Sequence, residues 1–306
     1  MENSEWIAWG VFNLFVIGMI FADLFLFHRN PHAISHKEAW ISSAFWIILA
    51  LLFGCGVYYF MGSEPALNYF AGYLLEKSLS IDNLFVFLMI FSYFCVPKEY
   101  LHKILFWGVL GALIMRAIFI FTGIVLIEKI HWITYLLGIL LIFTGFKLMK
   151  EKTEEIHPEN NWVLKGFRLF FPMTANFENG YFIVKKEGRY WMTPLFGVLI
   201  VIETTDVVFA IDSVPAILAI TKDPFIVYTS NVFAILGLRS LYFALESSIQ
   251  LFKYLNYGLA VLLIFIGIKM LLADVFTIPV PWVLLVIGLV LGVSIVASLW
   301  SQKRSR

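Results

Sequence analysis

Charge is scarce in this chain. Only 14% of its 306 residues are Asp, Glu, Lys or Arg, while 61% are hydrophobic. A soluble fold of this length cannot cover so much apolar surface with so few charges, so a water-soluble globular protein is excluded. Basic excess is also missing. The formal net charge of +1 leaves no electrostatic footprint for a nucleic-acid partner. Cysteine is rare: Cys55 and Cys95 form neither a Cys-x-x-Cys pair nor a disulfide framework. Each lies in or at the end of an apolar segment, so both are expected to be buried thiols. Histidine is absent from the apolar interiors. His28, His32, His36, His102, His131 and His157 fall in predicted loops or at membrane edges. With no His-Glu-x-x-His motif and no nucleophile–base pair, the chain does not read as an enzyme. The opening residues, Met1 to Glu5, lack the basic leader of a cleaved signal, so the first apolar run is expected to stay as a membrane span.

What is present is a succession of long apolar runs. About 20 such residues cross the hydrocarbon core as a helix. Nine runs qualify, at 6–27, 39–60, 66–94, 102–127, 132–149, 193–221, 224–246, 255–274 and 280–300. The expectation is an all-α polytopic membrane protein with about nine transmembrane helices. The third and sixth runs are long enough to tilt or to contain a break. Basic residues favour alternate loops: Arg29 and Lys37, Lys98 and Lys103, the group from Lys150 to Arg189, Lys253, and finally Lys303, Arg304 and Arg306. That bias puts the N-terminus outside and the C-terminus in the cytoplasm. In the linker at 150–192, a charged run is followed by Trp162 to Phe171, where Lys165 and Arg168 interleave with aromatics as in an interfacial helix. Phe182 to Trp191 reads as a small hairpin.

Against this scarcity, five carboxylates fall mid-way along two of the predicted spans. Glu76 and Asp82 lie in the third; Glu203, Asp206 and Asp212 lie in the sixth. The 76/82 and 206/212 pairs share one six-residue spacing, and each ends Ile-Asp followed by a small polar residue, Asn83 or Ser213. A charged group at mid-bilayer costs about 2.5–3.5 kcal/mol on insertion scales, so each is a functional candidate. Helical spacing puts Glu76, Ser80 and Asn83 on one face, as it does Glu203 with Asp206 and Asp212 with Pro215. Pro215 has no N–H and frees the carbonyl of Ile211, a potential oxygen ligand. Arg116 and Arg239, also inside spans, are read as supporting ion pairs that neutralise part of the acid cluster when the cation is absent, with structural packing and a direct role in gating both open. Lys77 faces about 100° away from Glu76 and is expected to meet an acid or a helix-end carbonyl. Asn231 reads equally as a helper ligand and as a helix–helix hydrogen-bonding residue. Asp23 reads as an interfacial acid, and Lys147, Lys269 and Asp274 as span-end residues. A site of carboxylates, amide, hydroxyls and carbonyls suits a hard cation, with Mg²⁺, Mn²⁺ and Ca²⁺ all matching.

The chain also repeats itself. Tyr135 to Leu148 matches Tyr257 to Met270 without a gap at a shift of 122, through a shared Tyr, a Leu-Ile-Phe core, a Gly and a Lys. Arg116 and Arg239 match at a shift of 123. Spans three to five thus recur as six to eight. Three helices per unit is odd, so the second unit enters the membrane from the opposite side, which gives two inverted three-helix repeats. The expected organisation is flanking helices at 1–60, a first repeat at 61–149, a linker at 150–192, a second repeat at 193–274, and a last helix with a basic tail at 275–306.

The segments Glu76 to Asn83, Asp206 to Ala216 and Thr229 to Arg239 resemble the TerC family of integral membrane proteins, and within it the bacterial Alx branch. The resemblance runs over nearly the whole chain. It implies export of Mn²⁺ from the cytoplasm across a bacterial inner membrane, and kinship with LysE-like and other divalent-cation exporters. It places metal-site acids at Glu76, Asp82, Glu203, Asp206 and Asp212, with Asn83 and Ser213 completing the two motifs. The expected partners are a divalent metal ion, H⁺ and the lipid bilayer. Like charges held close together do not all ionise, so exchange of Mn²⁺ for H⁺ is expected. Two alternatives use the same residues: Ca²⁺/H⁺ or Na⁺/H⁺ antiport, and a non-transport assembly factor with a structural cation.

Overall fold

The computed structural model describes residues 2–25, 36–130, 132–150, 163, 165–167, 172–186, 188–246, 254–276 and 278–305. It divides into two compact units, residues 1–35 and 36–306. The first holds α1 (Glu2–Phe25), an apolar helix on its own.

In the second unit, α2 (His36–Met61) runs almost directly into α3 (Ser63–Tyr93). Only Gly62 separates them, and its φ of +95° is open to a residue without a Cβ. Next come α4 (Lys98–Lys129) and α5 (Ile133–Lys150). An antiparallel hairpin follows, β1 (Ile183–Lys186) and β2 (Arg189–Met192), with Lys186 opposite Arg189 and Gly188 at positive φ in the turn. The expected hairpin is therefore present. Lys103 of α4 donates to the Gly180 carbonyl at 2.8 Å and ties this segment to the start of α4. Of the expected interfacial helix, Val163 and Lys165 to Phe167 are helical; its other residues, with the charged run after Lys150, lie outside the described residues.

Two helices then begin with proline at the first turn, where a missing N–H costs nothing. These are α6 (Pro194–Leu218) and α7 (Pro224–Leu236). Asp223 caps α7, accepting from the N–H groups of Phe225 at 2.9 Å and Ile226 at 3.2 Å. A short α8 (Leu238–Leu245) continues from α7 beyond Gly237, followed by α9 (Leu255–Leu271) and α10 (Val280–Ser305). Among the described residues, six helical stretches are long and apolar enough to cross a membrane, α7 and α8 counting as one, and α1 and α9 contribute shorter apolar stretches.

The break falls where the sequence did not point. The third and sixth spans, α3 and α6, are continuous, and Pro215 lies inside α6 without ending it. The interruption is at Gly237 instead. A Cβ there would lie 2.9 Å from Lys77 Nζ and 3.1 Å from Trp46 Cβ, so the glycine is required by close approach of α2 and α3. Lys77 Nζ donates to the Ala234 carbonyl at 3.2 Å, taking the helix-end partner at the break.

Polarity is arranged inside out. Large apolar side chains point outward, among them Leu52 and Tyr59 on α2, Ile114 and Ile118 on α4, Phe143 on α5 and Val293 on α10. Glu76, Asn83, Arg116, Asp206, Ser213, Asn231 and Arg239 are buried. Residues 229–236 of α7 are all buried, which makes α7 the central helix. Cys55 and Cys95 are exposed, contrary to the expectation of buried thiols. An outward face that meets lipid accepts an apolar thiol, so burial is no guide there.

Packing pairs α3 with α7, α4 with α6 and α5 with α9, the last being the most extensive contact. Glycines set the α5–α9 approach. A Cβ on Gly267 would lie 2.6 Å from the Gly138 carbonyl oxygen, and one on Gly145 would lie 2.8 Å from that of Ala260. Gly267→Val is expected to destabilise the protein by about 1–3 kcal/mol through overpacking. A lower thermal midpoint of the variant purified in detergent checks this, and a Gly288→Val control, where nothing stands within 4 Å of the added Cβ, should melt like wild type.

Candidate cation site

Four helices converge on one guanidinium. Arg116, midway along α4, is 2% exposed. It forms an ion pair with Glu76 of α3, which is fully buried. Its Nη2 lies 3.5 Å from an oxygen of Asp206 on α6. Its Nη1 donates to the Ser213 hydroxyl at 3.0 Å and to Asn231 Oδ1 on α7 at 3.2 Å. Asp206 and Ser213 are seven residues apart, two helical turns, so both face α4 from one stripe of α6. Arginine suits this place because its planar fork addresses several acceptors at once. One guanidinium against two carboxylates leaves the group a net −1. Asp206 Oδ2 is buried there with no hydrogen-bond partner, leaving ligand capacity unspent.

The remaining predicted residues divide. Asn83 is buried on α3. The side chain of Asp82 lies outside the described residues, as does that of Asp23. Glu203 stands apart from the arginine. Its carboxylate packs on Gly111 of α4, where any Cβ would overlap it. Asp212 points to α5, accepting from the Thr144 hydroxyl at 2.9 Å. Arg239 is buried on α8, with Nη1 3.4 Å from His102 Nδ1 on α4. Among the described residues, no three His, Cys, Asp or Glu side chains form a ready-made metal cage. Among the described residues, the α6 acids are distributed against α4 and α5, and Glu76 and Asp206 are brought to a common centre.

Two contacts were not anticipated. Thr144 as a partner of Asp212 had a legible signal. It is the polar departure in the repeated segment, where Ile266 stands at the matching position. Gly111 as the seat of Glu203 had none. At the other end of the helices, a cavity of about 190 Å³ is lined by Tyr135, Lys222, Lys269 and Asp274 among others. There Tyr135 donates to Asp274, and Lys269 donates to the Ala219 carbonyl at 2.6 Å, satisfying the end of α6.

A bundle with apolar side chains outside and its charges within is an integral, multi-pass membrane protein. The chain belongs to the TerC family: the integral membrane protein TerC family matches residues 61–306. A membrane protein of Myxococcus xanthus is 47% identical over 97% of this chain and 93% of its own length. A Salmonella typhi protein named Alx, described as a candidate membrane-bound redox modulator, is 44% identical over 96% of this chain and 94% of its own. The Escherichia coli K12 protein of that name is 43% identical, covering 97% and 96%. No solved structure matches the chain.

Removing one member of a buried ion pair strands the other's charge, at about 3–5 kcal/mol. Arg116→Met is therefore expected to lower the thermal midpoint of the purified protein strongly. Adding Glu76→Met should restore part of the loss, since one of the two stranded carboxylates is gone.

Proposed function

We propose that the protein exports Mn²⁺ from the cytoplasm across a bacterial inner membrane, with Glu76 and Asp206 as the central ligands. The observation that carries this reading is the buried, all-oxygen set of Glu76, Asp206, Ser213 and Asn231 on three different helices, a donor set suited to a hard divalent cation. Asp82, Asn83, Glu203 and Asp212 are assigned to a polar path along α3 and α6.

The packing supports an inverted-repeat mechanism. Under the shift of 122, Gly138 maps to Ala260 and Gly145 to Gly267. The contact of Gly138 with Gly267 therefore maps onto that of Ala260 with Gly145, as a two-fold axis through the α5–α9 seam requires. The α3–α7 and α4–α6 packings exchange in the same way. Rocking of one three-helix unit against the other about a fixed midplane site is the corresponding transport cycle. With the N-terminus outside and the C-terminus inside, export runs from the basic to the non-basic side. Mn²⁺ is redox-active, so moving it out of a cell alters redox chemistry, which accommodates the description carried by the Alx relatives.

The test is Mn²⁺ uptake into inverted membrane vesicles, paired with cellular Mn²⁺ content at matched protein levels. Wild type should lower cellular Mn²⁺, and Glu76→Gln or Asp206→Asn should cut vesicle uptake at least about tenfold. Uptake of Ca²⁺ or Na⁺ in place of Mn²⁺ overturns the assigned substrate. If protons are exchanged for the metal, uptake varies between about pH 6 and about pH 9, and a flat profile removes the proton from the mechanism.

A further inference from the structure

We propose that Arg116 is a resident cation that must leave Glu76 and Asp206 before cargo enters, and that Glu203 is the carboxylate that receives it. The inference rests on the cation-export reading and takes Glu203 out of the ligand set.

The guanidinium contacts Glu76, Asp206, Ser213 and Asn231, the donors through which a metal ion would be held. The same oxygens cannot serve both. Charge leads to the same requirement. A divalent cation neutralises two carboxylates by itself, so an arginine left beside it would be a buried charge without a counter-ion. Arg116 must therefore exchange partners within the protein.

Among the described residues, geometry offers one acceptor. Glu203 lies one turn before Asp206 on α6 and shares its face. Its carboxylate rests on Gly111, five residues before Arg116 on α4, an axial offset of about 7.5 Å. Long side chains on a helix lean toward its N-terminus, so the arginine is directed from Arg116 toward the level of Gly111. Glycine keeps that seat open, because any Cβ at 111 would overlap the Glu203 carboxylate. Asp212 is not an equal acceptor. It turns to α5 and is already held by Thr144 at 2.9 Å. Five residues also turn about 140° around α4, so the swing carries the guanidinium around the helix as well as along it.

The test is Mn²⁺ binding to the full-length protein in detergent, read by titration calorimetry and by the shift of the melting midpoint with Mn²⁺. Arg116→Gln should bind Mn²⁺ at least about tenfold tighter than wild type and gain a larger midpoint shift. Glu203→Gln should weaken binding in the wild-type background and have no effect beside Arg116→Gln, where there is no arginine to receive. Equal weakening in both backgrounds makes Glu203 a ligand and overturns the proposal. So does Arg116→Gln with unchanged or weaker affinity, which marks a purely structural arginine. Gly111→Ala is an arm that leaves every charged residue in place. It should weaken Mn²⁺ binding by blocking the seat, and unchanged affinity overturns the proposal. If Ca²⁺ gives the full pattern and Mn²⁺ does not, the exchange stands and the Mn²⁺ assignment falls.

Discussion

The buried guanidinium of Arg116 is the interaction on which the arrangement of this protein depends. In lipid, helices gain little from hydrophobic association, because the tails around them are as apolar as their own side chains. Polar links and close packing must hold the register. Arg116 supplies such links to three neighbours at once: α3 through Glu76, α6 through Asp206 and Ser213, and α7 through Asn231. The α3–α7 and α4–α6 packings meet around it, and the outward faces are free to be uniformly apolar.

The two related halves do not contribute alike. α6 brings two residues to the centre, α3 brings one and α7 one. Arg239, which matches Arg116 in the sequence repeat, has Nη1 3.4 Å from His102 Nδ1. Likewise Thr144 holds Asp212, while its counterpart Ile266 has no group to offer.

The helices were largely legible because long apolar runs bounded by charge have few other readings. The sixth run was expected at 193–221 and α6 spans Pro194–Leu218. The individual charges were equally conspicuous, since each stands out against apolar neighbours. Which partner each takes was not legible. That depends on the rotation of one helix against another, and a six-residue spacing turns Asp212 well away from Asp206 toward α5. The break at Gly237 was hidden for a related reason. A glycine in an apolar helix signals close approach only once Trp46 and Lys77 are known to press on it. Cys55 and Cys95 misled because apolarity implies burial in water and says nothing of depth in lipid.

Glu76 and Lys77 are adjacent on one rigid helix, yet they grip different things. The first holds the central arginine, and the second secures the Ala234 carbonyl at the α7–α8 interruption. Any rotation of α3 about its axis turns both through the same angle. The charge centre and the broken helix are therefore held by one rigid element, so neither can be re-aimed by turning α3 without re-aiming the other.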